Sequence, residues 1–136
     1  FIYSSLGAPS TALLAIAQEI MDGKKDEDTG AITPGYRAAG VNVEVLPVVE
    51  RAVPLSIRVS MIDGAELTTA VRQSLGDLYG NAIRSVAPGT SLYLGTLVEM
   101  LLTAPGVEQI VPSTNANIVC GVGEALIPGT LTIAAL

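Results

Sequence analysis

The sequence predicts an α+β fold in which helices cover one face of an antiparallel or mixed sheet. One stretch, residues 49–59, alternates apolar and polar side chains with the period of a strand that has one buried face. Two later stretches, residues 67–82 and 93–102, carry apolar residues at helical spacing. The predicted strands come in adjacent pairs joined by short turns. The predicted order of elements is β-α-β-β-α-α-β-β.

The chain opens with a predicted strand at residues 1–4, followed by a helix. Pro9 suits the first turn of that helix, and Gly23 suits its C-terminal end. Apolar residues recur at helical spacing between them, at Leu13, Ile16, Ala17, Ile20 and Met21.

Residues 23–40 are polar and rich in glycine, with a turn signal at Pro34 and Gly35. They predict a long exposed loop. The alternation of Val41, Val43 and Val45 with polar residues then predicts a second strand.

The long strand that follows has the clearest pattern in the chain. One face carries Val49, Arg51, Val53, Leu55, Ile57 and Val59. The opposite face is mostly polar or small, which is typical of a sheet with one wet face. Pro54 has no N–H, and this favours an edge position or a bulge.

The second helix is predicted from Leu67 to Ala82, with Asp63 as its N-cap. Gly76 and Gly80 each weaken a helix by up to about 1 kcal/mol relative to Ala. Glycines four residues apart also allow another backbone to approach closely.

The third helix has sharp boundaries. Pro88 and Gly89 predict a turn before the helix, and Thr90 or Ser91 is predicted to cap it. Pro105 and Gly106 predict the end of the helix. Its broad apolar stripe consists of Tyr93, Leu94, Leu97, Val98, Leu101 and Leu102. Strands are predicted at 107–111 and at 129–136, where Leu131 and Ile133 alternate with threonines. The turn-rich connection between them has room for one further short strand at 118–120.

Composition restricts the classes of function. The 136 residues have a net charge of −6, which argues against nucleic acid and anionic membrane surfaces as partners. Charged residues make up only 15% and hydrophobic residues 49%. A compact monomer with a Ser/Thr/Gly surface would explain this. The favoured explanation is that other subunits cover part of the surface, because interface cores are poor in charge.

Domain organisation follows from length. A chain of this size suits a single α+β domain over residues 1–136, or two closely packed α/β halves at about 1–61 and 62–136. Because the chain begins with Phe1 inside a predicted strand, we expect it to be the C-terminal fragment of a longer protein.

Few residues suggest catalysis, since the chain has no histidine. The acidic loop formed by Asp22, Asp26, Glu27 and Asp28 resembles a cation site. A Ca²⁺ loop would instead need an acid at Arg37 and a glycine at Ala31, so a solvated loop is predicted. No catalytic, cofactor or metal residues are assigned, and the chain is predicted not to be an enzyme.

The remaining candidates have structural explanations. Residues 121–123 begin like a dinucleotide-binding loop, but Leu126 occupies the place of the third glycine. Cys120 has no histidine to activate it and is predicted to pack in the core. Ser91 is predicted to be a cap. Arg51 and Arg58 are either partner-binding or part of a solvated strand face.

Five segments, taken in order, resemble the baseplate J-like family, whose members are wedge proteins in the baseplates of contractile-tailed phages and related injection machines. They are GAPSTALLAIAQEIMDG (7–23), RAAGVNVEVLPVVERAVPLSIRVSM (37–61), AELTTAVRQSLGDLYGNA (65–82), PGTSLYLGTLVEMLLTAPGVEQI (88–110) and IPGTLTIAAL (127–136). The resemblance covers the C-terminal portion of a typical member. The chain departs from the pattern in a longer loop at residues 24–33 and at Thr90–Ser91, where an acid is common.

The resemblance implies a structural subunit of a phage, prophage or other contractile injection system. Such a subunit would pair with itself as a dimer and pack beside other wedge proteins in the virion baseplate, after synthesis in the host cytoplasm. It implies no cofactor. Two alternatives stay open: a small-molecule-binding regulatory α+β domain, and a fragment of an enzyme whose active residues lie elsewhere.

Overall fold

The computed structural model describes residues 9–38 and 40–136 and shows an α+β fold with three helices. The chain divides into two compact units, Phe1–Val49 and Glu50–Leu136. The boundary falls between Val49 and Glu50, at the start of the long strand. The strand predicted at residues 1–4 falls outside the described residues.

The described elements begin with a helix and two short strands: α1 (Thr11–Asp22), β1 (Gly23–Lys25) and β2 (Ile32–Pro34). The second unit then contains most of the regular structure: β3 (Val49–Met61), α2 (Thr69–Arg84), β4 (Ser91–Leu92), α3 (Leu94–Leu101), β5 (Val107–Pro112), β6 (Ile118–Val119) and β7 (Glu124–Ala135). The predicted order was therefore wrong in detail, because it missed the short strands β1, β2 and β4.

The helix α1 is bounded by a hydroxyl cap and a glycine. The Ser10 hydroxyl accepts the amide of Leu13 at 3.2 Å, which makes Ser10 the N-cap. Pro9 therefore precedes the cap and does not lie in the first turn, as the sequence had suggested. Gly23 ends the helix as predicted, at φ +87°, and its N–H bonds the carbonyl of Glu19.

The predicted loop at residues 23–40 contains a hairpin, since β1 pairs antiparallel with β2. Its turn is closed by Asp26, whose carboxylate accepts the amides of Asp28 at 3.0 Å and Thr29 at 2.8 Å. Three-residue polar strands lack the alternation that would have predicted them. Side-chain bonding in the turn sets the hairpin here.

The strand predicted at Val41–Val45 is absent. The side-chain amide of Gln18 bonds this segment instead, donating to the carbonyl of Val43 at 2.8 Å and accepting the amide of Val45 at 2.6 Å. Two backbone groups of this segment are therefore bonded by a side chain of α1 and not by a neighbouring strand.

The second unit is built on a three-stranded mixed sheet in the order β5-β3-β7. β5 is antiparallel to β3, with Ile57 opposite Pro112. β7 runs parallel to β3, because Gly129 lies against Val53 and the Leu136 amide donates to the Val59 carbonyl at 2.9 Å. The short strands β4 and β6 form a separate antiparallel pair.

Pro54 does not mark an edge strand, because β3 is the central strand of the sheet. The irregularity in pairing lies between Ser60 and Met61, not at the proline. The register with β5 begins only at Ile57, so Pro54 lies beyond the reach of β5. Its missing N–H therefore costs no bond to that strand.

The core of the second unit is the one predicted from the alternation. Val53, Leu55, Ile57 and Val59 of β3 are buried. They share a cluster with the buried Leu75, Leu97 and Leu101, and with the partly buried Leu67, Val71 and Val98. The helices thus cover one face of the sheet.

Two predicted caps were wrong. At α2 the N-cap is Thr68, whose hydroxyl accepts the Val71 amide at 3.3 Å. Asp63 lies instead in a turn, in which Gly64 has φ +81° and the Ala65 amide bonds the carbonyl of residue 62.

At α3 the N-cap is Tyr93, which makes no side-chain cap bond. Asn117, distant in sequence, accepts the Leu94 amide at 3.0 Å in its place. Ser91 lies in β4, and the Thr90 hydroxyl donates to the carbonyl of Ala87 at 2.6 Å.

The C-terminal boundaries largely follow the prediction. Gly106, at φ +74°, turns the chain from α3 into β5. β6 falls within the strand predicted at 118–120, and β7 begins at Glu124, five residues earlier than expected. Among the described helices, none has the length and apolar content needed to cross a bilayer.

Candidate interaction surface

The helix α1 presents a stripe of half-exposed aliphatic side chains. Leu13, Ile16 and Ile20 are 44%, 54% and 54% exposed, and no residue of α1 is buried. Their spacing places them along one side of the helix. We call these three residues the α1 stripe. A contiguous exposed row of large aliphatic side chains is typical of an interaction site.

The neighbouring hairpin extends this apolar surface within the first unit. Ile32 and Tyr36 are both largely exposed. A groove of 480 Å³ runs between helix and hairpin, lined by Glu19, Ile20, Gly23, Lys24, Thr33, Pro34 and Tyr36. Ile20 therefore belongs to both the stripe and the groove.

Ion pairs within the first unit balance much of the charge beside this surface. Lys24 pairs with Glu19 at 2.8 Å, and Arg37 pairs with Asp22 at 3.0 Å. Both pairs are exposed to solvent, so each contributes about 0–1 kcal/mol to stability. The hairpin still carries Asp26, Glu27 and Asp28, so the surroundings of this surface keep a net negative charge.

The acidic loop takes part in local structure. Bonds from the backbone and side chain of Thr29 lower the pKa of Asp26, whose carboxylate closes the hairpin turn. Asp22 is engaged by Arg37. Within the ranges 9–38 and 40–136, no three acidic or cysteine side chains are grouped so as to hold a metal ion.

In the glycine turn at residues 121–123, a side chain that directly follows the turn bonds a backbone amide. The Glu124 carboxylate accepts the Gly121 amide at 2.9 Å. Arg51 pairs with the same carboxylate at 3.1 Å, and its guanidinium also donates to the Val119 carbonyl. Arg51 thus has an internal structural role, and the amide that would face a phosphate in a nucleotide loop is already bonded.

This contact predicts a measurable pH dependence. The Gly121 amide, and then Arg51, lower the pKa of Glu124 below its usual value of 4.5. A lowered carboxyl pKa stabilises the fold above the unfolded value, and the contribution is lost as pH falls through the folded value. We expect NMR titration of the Glu124 side-chain carboxyl carbon to give a midpoint below 4.5. In Arg51→Met the midpoint should move upward, and an unchanged midpoint would show that the pair is not formed in solution.

Cys120 is buried, as predicted. It belongs to the core cluster of the second unit, and its thiol donates to the Glu124 carbonyl at 3.3 Å. Arg58 lies exposed on the open face of the sheet and has no ion-pair partner in the described part of the chain. The choice between partner binding and a solvated face therefore stays open for Arg58 alone.

The sequence predicted the helix α1 but not the exposure of its apolar side chains. The spacing of Leu13, Ile16 and Ile20 suits a buried face as well as an interface. The available signal was the polar composition of residues 24–40, which offers few apolar side chains to cover a helix. Asn117 and Glu124 were missed because their partners are set by tertiary structure.

Comparison with known proteins adds no relative. No protein-family model matches the chain, and no curated protein matches it significantly. The resemblance to the baseplate J-like family therefore stays a prediction from the sequence.

Proposed function

We propose that this chain is a structural subunit of a phage or phage-like contractile-tail baseplate, acting in wedge assembly. The proposal is supported by the order and spacing of five segments between residues 7 and 136 that resemble the baseplate J-like family. The α+β fold is compatible with it.

The observation that carries the proposal is the half-exposed α1 stripe. An aliphatic side chain such as Ile16 gains about 1.5–3 kcal/mol when it is fully buried, so three half-exposed ones are a considerable driving force for association. A subunit built to be covered by its neighbours needs such a surface.

The contacts of the candidate chemical groups support a structural role over a catalytic one. Asp26 closes a turn, Glu124 bonds a backbone amide, and Cys120 packs in the core. Each group is used to fix the backbone. We therefore propose a subunit without enzymatic activity or cofactor, made in the host cytoplasm and located in the virion baseplate.

The experiment measures association with defined partners. The full-length protein is mixed with each tail protein encoded beside it, and the mass of the mixture is measured by light scattering. We expect complexes at micromolar concentration. Replacing Ile16 and Ile20 together by Asp should weaken binding by about tenfold or more, since central apolar residues dominate interface energies.

The matched control is Ile62→Asp, because Ile62 is 50% exposed and lies in the other unit. It should bind like the parent protein. A parent protein that binds none of its neighbours at micromolar concentration would refute the proposal. The regulatory-domain alternative would then be favoured, and ligand-dependent melting would test it.

A further inference from the structure

The groove beside α1 adjoins a second cavity with polar walls, which we call the acidic hollow. The acidic hollow has a volume of 560 Å³ and shares Glu19, Gly23 and Lys24 with the groove. Ile20 lines the groove and is also the last residue of the α1 stripe. The α1 stripe, the groove and the acidic hollow therefore form one continuous surface of the first unit.

The acidic hollow carries more carboxylates than cations. Its charged lining consists of Glu19, Lys24, Lys25, Asp26, Glu27 and Asp28. Lys24 is engaged by Glu19 at 2.8 Å. Over residues 9–38 and 40–136, no hydrogen bond or ion pair reaches the exposed carboxylates of Glu27 and Asp28. These two carboxylates are therefore open to cationic groups of another molecule.

The dimensions of this surface restrict what fits it. The α1 stripe is about 10 Å long from Leu13 to Ile20, since a helix rises about 1.5 Å per residue. A row of this length needs a partner with an apolar row of its own. Among the described residues, no three acidic or cysteine side chains are grouped so as to hold a metal ion. The negative charge is therefore better matched by separate cationic side chains.

A basic amphipathic helix meets both requirements. Its aliphatic side chains recur three and four residues apart, as Leu13, Ile16 and Ile20 do, so two such rows can interdigitate. Lysine and arginine lay their methylene stems on apolar surface while the charged head stays in water. The exposed Pro34 and Tyr36 supply such a surface in the groove, directly adjoining the acidic hollow.

We propose that the first unit binds a basic amphipathic helix of a partner protein. The aliphatic side of that helix lies along the α1 stripe and the groove, and its lysine or arginine side chains reach Glu27 and Asp28. The occupant is basic because residues 1–49 contain six acidic and three basic side chains. Complementary charge speeds encounter and disfavours partners of like charge. The inference rests on the proposed function, because it names the chemistry of the neighbour that covers this surface.

The probes are two fluorescent amphipathic peptides of about 18 residues, or about five helical turns. Both carry the same leucine face, and their polar positions are all lysine in one peptide and all glutamate in the other. Binding to the 136-residue chain is measured by fluorescence anisotropy. We expect the lysine peptide to bind at micromolar concentration and the glutamate peptide to bind at least about tenfold more weakly.

Charge reversal locates the cationic contact. Glu27→Lys combined with Asp28→Lys should weaken binding of the lysine peptide by about tenfold, since two attractive pairs become repulsive. Asp63→Lys combined with Glu66→Lys is the matched control, because both side chains are exposed in the second unit and the net charge changes equally. It should bind like the parent chain, which separates a local contact from a general effect of net charge.

A neutral substitution tests the apolar contact. Ile16→Ser combined with Ile20→Ser should also weaken binding of the lysine peptide by about tenfold or more. Serine and isoleucine have similar helix propensities, so α1 should be retained, which circular dichroism checks. Ile62→Ser combined with Val122→Ser is the control, because both side chains are exposed in the second unit.

Equal affinity for the two peptides, or equal effects of the two charge reversals, would overturn this inference. So would a parent chain that binds neighbouring tail proteins but not the lysine peptide, and in that case the proposed function would stand. The proposed function fails separately, when the parent protein binds none of its neighbours in light scattering.

Discussion

Replacing Leu97 with alanine should lower the free energy of unfolding by about 2–5 kcal/mol. Leu97 is completely buried in α3 and belongs to the cluster formed with β3 and α2. Removing its side chain loses the transfer free energy of three carbon atoms and leaves a cavity that closely packed neighbours fill only in part.

Urea denaturation followed by circular dichroism gives the value directly. Leu102→Ala is the matched control, because Leu102 follows the same helix and is exposed. It should cost well under 1 kcal/mol, as most exposed substitutions do. Equal losses for the two variants would contradict the packing described for the second unit.

Replacing Tyr79 with phenylalanine should cost about 1–3 kcal/mol, because buried backbone groups would lose their partner. The ring of Tyr79 is buried in the core, and its hydroxyl donates to the Val53 carbonyl and bonds the Gly129 amide. It therefore links β3 and β7 where Pro128 precedes the glycine. Burial raises the pKa of Tyr79, so the hydroxyl remains a donor at neutral pH.

Phenylalanine keeps the packing of the ring, so the loss of stability measures the contribution of the hydroxyl alone. We expect the Gly129 amide to exchange faster with solvent in the variant, which NMR can follow. Tyr93→Phe serves as the control, because Tyr93 is largely exposed. A Tyr79→Phe variant as stable as the parent would show that the hydroxyl does not join the two strands.

The core of the second unit could be predicted because its apolar pattern is long and regular. The alternation from Val53 to Val59 allows only one face to be buried, and the helices over residues 69–84 and 94–101 have only one apolar side each. These elements form so that their apolar faces are buried, and the spacing of apolar residues in the sequence shows which faces those are.

The boundaries could not be predicted in the same way. The N-cap of α2 is Thr68 and not Asp63, because the turn at Gly64 separates Asp63 from the start of the helix. The start of α3 depends on Asn117, which lies 23 residues away in sequence. β1 and β2 are too short and polar to show alternation. These boundaries depend on side-chain hydrogen bonds and on a glycine turn, which leave no periodic signal in the sequence.

The residues of the α1 stripe could be predicted from the sequence, but whether their side chains are buried or exposed could not. The spacing of the α1 stripe indicates an apolar face, and burial or exposure then depends on what else is present to cover it. The same holds for Arg51, whose partner Glu124 lies on a strand 73 residues away. Pairings of this kind follow from the fold and not from local sequence.

The proposed place of this chain in a contractile-tail baseplate is tested most directly by quantitative mass spectrometry of purified contractile-tail particles from the source organism. We expect the chain to co-purify with intact particles, in a fixed ratio to the tail tube and sheath proteins and in several copies per particle. Intact, fully assembled tails that lack the protein, while it is present in the unassembled fraction of the same cells, would contradict the claim.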